Sequence, residues 1–258
     1  MSDLTLLLNA AEQRLQFGLV RDKVLLCAQD WLAASRGVEL LAPLLSETLK
    51  RLELAPSDIT RIACVNGPGG FTGLRLALST ASALHHALRI PLAGINYLHL
   101  LAEGVPAAAG QKVRVLTNAR RDLVYLQNFL CCSDGHTEPQ DEPRIVALSA
   151  LLDDLDANAS RPDIMIGSGV IRHYASLAGR VNRGGRCIPD VYDQPHWDAF
   201  VRLTDNALYE DADLTPLYCR ASEAEDNLEM LAERRGDDPL GARRALERFL
   251  CRQPDSQE

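Results

Sequence analysis

A chain of 258 residues, 47% hydrophobic and 24% charged, has material for one large domain or two ordinary ones around a buried core. Its net charge of −8 argues against a protein that grips nucleic acid unaided, since phosphate binding needs a surplus of Lys and Arg on one face; a subunit whose partner supplies that surface remains allowed. Seven cysteines form no Cys-x-x-Cys pair and no apolar run reaches membrane-spanning length, so the expectation is a reduced, cytoplasmic protein with no membrane segment.

Three strand-like segments come first, at 4–9, 14–20 and 24–29. The short polar connections Glu12-Gln13 and Arg21-Asp22-Lys23 fit a meander of antiparallel hairpins. From 37 to 52 the period changes, with Leu41, Leu44, Leu45, Thr48, Leu49 and Leu52 recurring at three- and four-residue steps, as on an amphipathic helix. A strand at 61–65 then runs through a glycine turn into a helix at 72–88. That helix interleaves Leu74, Leu76, Leu78 and Leu84 with Ala77, Ser79, Thr80, Ala81, Ser82 and Ala83. A helix apolar around most of its circumference lies deep in a core or is shared with a partner. Arg89-Ile90-Pro91 ends it, and a strand at 92–95 follows.

A second half starts with a strand at 113–118 that pairs with 124–130 across Arg120-Arg121-Asp122. It continues with a helix at 149–155, a strand at 164–167, a helix from about 170 and, after a polar loop, a helix at 196–210. One strand of this copy is not evident. The expected domains are therefore 1–106, 107–220 and an Arg/Glu-rich extension at 221–258. In the extension, Ser222 with Glu225, and later Asp238-Pro239, mark the starts of two amphipathic helices.

The turn between strand 61–65 and helix 72–88 carries Gly67, Pro68, Gly69, Gly70 and Gly73. A strand, a glycine turn and a helix start can gather free N–H groups at one spot and attract an anion. The same composition also makes a tight connection that touches no ligand. No Lys-Ser or Lys-Thr pair follows, so this is not a P-loop, and the spacing is not that of a dinucleotide fingerprint.

The string Gly67, Pro68, Gly69, Gly70, Phe71, Thr72, Gly73, Leu74, Arg75 resembles the Gly-Pro-Gly-Ser-Phe-Thr-Gly-Val/Leu-Arg signature of the bacterial TsaB (YeaZ) family, with Gly70 where that family usually has Ser. The segment 118–125 is similar to its Asp-Ala-Arg-(Arg/Met)-x-Glu-Val-Tyr pattern. Ile166-Gly167-Ser168-Gly169 is similar to its Gly-(Thr/Asp)-Gly segment, and Pro216-Leu217-Tyr218-Cys219-Arg220 to its closing Pro-x-Tyr-Leu-Arg. The resemblance covers 4 to about 220. It implies a duplicated ribonuclease-H-like, actin-like α/β fold, here with a C-terminal helical extension. It also implies a noncatalytic subunit that binds TsaD and is required for threonylcarbamoylation of an adenosine in ANN-decoding tRNAs. A TsaE-like ATPase would join the larger complex, and tRNA would be reached only through it.

Actin-like ATPases place carboxylates at the end of the first strand and at the start of the second half. This chain has Asn9-Ala10 and Asn118-Ala119, and an amide does not supply the negative charge that a hard cation prefers. His85 and His86 are adjacent, about 100° apart on a helix, and do not make the His-x-x-x-His metal pair of TsaD-like proteins. The expectation is no catalytic residue, no metal and no cofactor. Leu41, Leu45, Leu74, Leu78 and Ala81 of the two helices would serve the TsaD interface, with Arg75 anchoring the turn. The competing readings are an ATP-dependent kinase or ATPase of the same superfamily, and a stand-alone homodimer joined through the same helices.

Overall fold

The computed structural model describes residues 3–32, 36–157, 161–188, 194–217 and 219, together with 232, 238 and 241. The chain divides into two units, 1–219 and 220–258, and both sheets lie in the first. The tail helices expected after 221 lie outside the described residues, as do Tyr218 and Arg220 of the closing segment.

Five strands make the first sheet: β1 (Leu4–Asn9), β2 (Arg14–Arg21), β3 (Val24–Leu32), β4 (Arg61–Gly67) and β5 (Leu92–Asn96), in the order β3-β2-β1-β4-β5. β1 pairs antiparallel with β2 and parallel with β4, which α1 (Gly37–Arg51) separates from the meander in sequence. The helix α2 (Phe71–Leu88) makes the crossover from β4 to β5. β1 is buried along its whole length, the mark of a central strand covered on both faces.

The second sheet repeats the pattern with β6 (Lys112–Asn118), β7 (Leu123–Cys131), β8 (Thr137–Pro139), β9 (Arg144–Ala147), β10 (Ile164–Ile166) and β11 (Arg186–Cys187), in the order β11-β10-β6-β7-β8 with β9 also on β7. Again the first strand sits centrally, its hairpin partner on one side and a parallel strand on the other. The chain therefore has the duplicated ribonuclease-H-like α/β fold. The strand missing from the sequence reading is the third of this half. It is split into β8 and β9, and Pro139 and Pro143, which have no N–H to give a ladder, bracket the gap.

Side-chain alternation along β1 builds the layers. Leu4, Leu6 and Leu8 join α1 and α2 in one apolar cluster with Phe17, Ile62 and Cys64. Leu7 faces the other way, into a central cluster that Val113, Val115, Ile164 and Ile166 of the second sheet share with α3 (Tyr97–Glu103) and α7 (Trp197–Asp205). A third cluster packs the outer face of the second sheet against α4 (Leu148–Asp156), α5 (Ser168–Arg172) and α6 (Tyr174–Leu177). Sequence periodicity missed α3, and it extended α7 too far. Residues 206–210 leave the helix because Glu210 exchanges both backbone hydrogen bonds with Leu92, at 2.8 and 2.9 Å, closing the outer edge of β5. Among the described residues no helix is long and apolar enough to cross a membrane.

Candidate functional site

The signature turn is a packing joint. A Cβ placed on Gly69 would lie 2.3 Å from the Ala11 carbonyl oxygen, and one on Gly73 would lie 1.9 Å from that of Ala10, so only glycine lets the loop after β1 come this close. Gly70 N–H donates to the Ala11 carbonyl at 2.6 Å. Backbone oxygens thus lie against the face of the turn where an anion would approach, which favours the tight-connection reading over a phosphate cradle. On the other side, Leu217 N–H donates to Asn66 O at 2.8 Å and Asn66 Nδ2 donates to Thr215 O at 3.1 Å, so the closing motif is stitched to the signature turn. Pro68 is buried and Thr72 exposed. Arg75 lays its guanidinium over the Phe71 ring at 3.8 Å, a cation–π stack at the first turn of α2.

The second half repeats the joint. Gly167, at φ +103°, would place a Cβ 2.3 Å from the Leu116 carbonyl oxygen, and Gly169 would place one at 3.0 Å. Between the two joints lies a cleft of about 560 Å³, lined by Asn9, Glu12, Arg14, Tyr97, Asn118 and Ser168 among others. Both degenerate phosphate positions are committed to internal hydrogen bonds. Asn9 Nδ2 donates to Gln16 Oε1 at 2.8 Å while its Oδ1 accepts Ala11 N–H at 3.0 Å, and the Ala10 carbonyl lies against Gly73. Asn118 Nδ2 donates to the Ser168 carbonyl at 3.1 Å, a place where a carboxylate would oppose another oxygen.

A magnesium nucleotide, as actin-like ATPases hold, does not fit these residues. Hard cations take anionic oxygens, and the one carboxylate among the described residues lining the cleft, Glu12, already receives two hydroxyls. Sequence reasoning passed over Glu12 as part of a polar connection. Among the described residues, no group of three His, Cys, Asp or Glu side chains is placed to hold a metal. His85 Nδ1 pairs with the Ile90 carbonyl at 2.7 Å, and His86 Nε2 lies 3.2 Å from Asp213 Oδ2.

A second concavity, about 650 Å³, opens between α1 and α2 and is almost wholly apolar, with Ala42, Leu45, Leu49, Leu76, Ala83 and Leu84 in its walls. The five residues expected at the interface are distributed unevenly. Leu41, Leu74 and Ala81 are buried against the sheet, Leu78 is half-buried, and Leu45, at 7% exposure, reaches the groove wall. The stripe that recurs every three to four residues is the one the core takes. Ala42, Ser46, Ser79 and Ala83 are what the helices expose.

A family model described as TsaD: tRNA N6-adenosine threonylcarbamoyltransferase matches residues 31–137, which hold α1, the signature turn and α2. The tRNA threonylcarbamoyladenosine biosynthesis protein TsaB of Buchnera aphidicola is 27% identical over 131 residues, covering 50% of this chain and 62% of its own. The TsaB of Bacillus subtilis is 31% identical over 83 residues, covering 32% and 36%. The chain therefore matches less than two thirds of the length of these curated relatives. Among solved structures, a Pseudomonas aeruginosa protein described as similar to the peptidase YEAZ superposes with a TM-score of 0.67 at 22% identity, over 84% of this chain and all of the other.

Proposed function

We propose, from likeness in sequence and in fold, that this chain is a member of the TsaB (YeaZ) family and a noncatalytic subunit of tRNA threonylcarbamoyladenosine biosynthesis that docks onto a TsaD-like partner. The observation that carries the docking is the open apolar groove between α1 and α2, since a stable interface needs a desolvated apolar core of this kind. The noncatalytic part rests on the cleft, where both acidic positions are amides already bonded within the chain. In this reading tRNA and a TsaE-like ATPase are met only in the larger complex. The same groove would let two copies of the chain pair when the partner is missing.

Co-expression with the TsaD of the same genome followed by size exclusion tests the docking. The unaltered chain should co-elute with TsaD. Ser79→Arg, on the exposed face, should fold normally by circular dichroism yet elute alone. Undiminished co-elution of that variant would remove the groove as the docking site, and light scattering of the chain alone separates a homodimer from a monomer.

A further inference from the structure

The misfit of the cleft to a magnesium nucleotide has a specific cause in this chain. We propose that Glu12 is a resident anion: it latches the two halves together across the cleft and occupies, from within the chain, the place a phosphate-bearing ligand would have to enter.

Glu12 lies in the loop between β1 and β2 of the first half. Ser168 Oγ–H, at the start of α5 in the second half, donates to Glu12 Oε1 at 2.5 Å, and Tyr97 O–H, at the start of α3, donates to Glu12 Oε2 at 2.9 Å. The serine is oriented for this. Its Oγ accepts Asn118 N–H at 3.0 Å and its carbonyl accepts Asn118 Nδ2 at 3.1 Å, so the hydroxyl proton is left to point at the carboxylate. Asn118 N–H, Ser168 O–H and Glu12 thus form one polarised chain, ending on a charge, in which each hydrogen bond strengthens the next. The Ser168 contact at 2.5 Å lies in the range of strong, charge-assisted bonds, and the Tyr97 contact at 2.9 Å is of ordinary length. Tyr97 is 2% exposed, so its phenol is fixed by packing as well.

The bonds take up donors that an incoming oxyanion would need. Glu12, Tyr97, Asn118, Ser168 and the flanking Arg14 and Arg172 all line the same cleft. With the carboxylate in place, a phosphate meets a negative charge and hydroxyls already in use. Without it, the same hydroxyls and Arg172 face a cleft of about 560 Å³, beside an Arg14 whose Nη1 donates to Asp30 Oδ1 at 2.8 Å. The chain would then exclude phosphate-bearing ligands through the residue it adds as well as through the acidic residues it lacks.

Two readouts on the full chain test the proposal. In Glu12→Ala, amide hydrogen exchange across 166–172 should quicken roughly ten- to a hundredfold, the net worth of hydrogen bonds to a charge. By calorimetry with inorganic phosphate and with ADP and Mg²⁺, that variant should bind at least tenfold more tightly than the unaltered chain. Glu12→Gln keeps the volume and one acceptor, and should move both readouts in the same direction by less, which keeps the test open should the alanine variant not fold. Unchanged exchange in these variants overturns the latch. Phosphate and ADP binding no tighter in them than in the unaltered chain overturns the occupancy.

Discussion

Arg202 of α7 holds both ends of Glu103: its Nε donates to the carboxylate at 2.9 Å and its Nη2 to the backbone carbonyl at 2.7 Å. The Glu103 side chain has no exposure, and Thr137 N–H, Thr137 Oγ1 and His136 Nδ1 complete its shell at 2.9 Å each. Burial on its own would raise this carboxyl, but the hydrogen bonds from Arg202, Thr137 and His136 outweigh it and hold the group below its ordinary value. A depressed folded pKa contributes stability that is fully present above the unfolded value of about 4.3 and is lost as pH falls through the folded one. Urea unfolding should therefore show stability dropping below about pH 4. Arg202→Ala should cost about 1–2 kcal/mol at neutral pH and make that acid loss shallower. An acid slope identical in the variant would contradict this account.

Gly70 and Gly73 should respond oppositely to added side chains. Gly70 is the N-cap of α2 at φ −68°, ψ 125°, a conformation open to any residue, and its nearest obstruction is the Ala11 oxygen 3.5 Å from an added Cβ. Gly70→Ser, the residue usual in the family signature, adds a capping hydroxyl and should stabilise the chain by a few tenths of a kcal/mol. Gly73→Ala drives a methyl into the Ala10 carbonyl and should cost about 2–3 kcal/mol. Thermal melts of the two variants check the signs.

The five strands of the first half and its helices α1 and α2 were legible because their signals are local. β1, β2 and β4 are apolar runs bounded by turn residues, and α1 shows a clean three-to-four period. α3 was not legible: Tyr97, Leu98, Leu100, Leu101 and Ala102 are all buried, so no polar stripe reveals a period. Its one signal was the cap, Asn96 Oδ1 accepting Leu98 N–H at 2.8 Å and His99 N–H at 3.3 Å. The helices of the proposed docking surface were legible, but their outward faces were not, because on helices this rich in leucine and alanine the sheet decides which stripe is buried. The contact between Glu12 and Ser168 joins residues 156 positions apart and leaves no local pattern at all.

Two cysteines should be chemically silent in the native chain. Burial pushes the Cys64 thiol far above its usual range and that of Cys187 to about 11, while reactivity belongs to the thiolate. At pH 8 a maleimide or disulfide reagent should modify neither until denaturant is added, and mass spectrometry of the labelled peptides reads this directly. Native labelling of Cys64 at the rate of a free thiol would mean that the first sheet opens far more readily than its packing implies.

Ala81 and Ala83 sit two residues apart on α2, about 200° around its axis, and separate folding from docking. Ala81 has no exposure and lies in the cluster that binds α1 and α2 to the first sheet, so Ala81→Arg buries an uncompensated charge and should cost about 3–5 kcal/mol, lowering the melting temperature sharply. Its failure to bind a partner would therefore say nothing about an interface. Ala83 is exposed on the groove wall, and Ala83→Arg should leave the melting temperature of the chain alone within about 0.5 kcal/mol of equivalent stability. The same substitution sets a charge into the apolar centre of the proposed contact and should weaken association with TsaD at least a hundredfold by calorimetry. An Ala83→Arg chain that keeps its stability and its TsaD affinity would shift the docking surface off this groove.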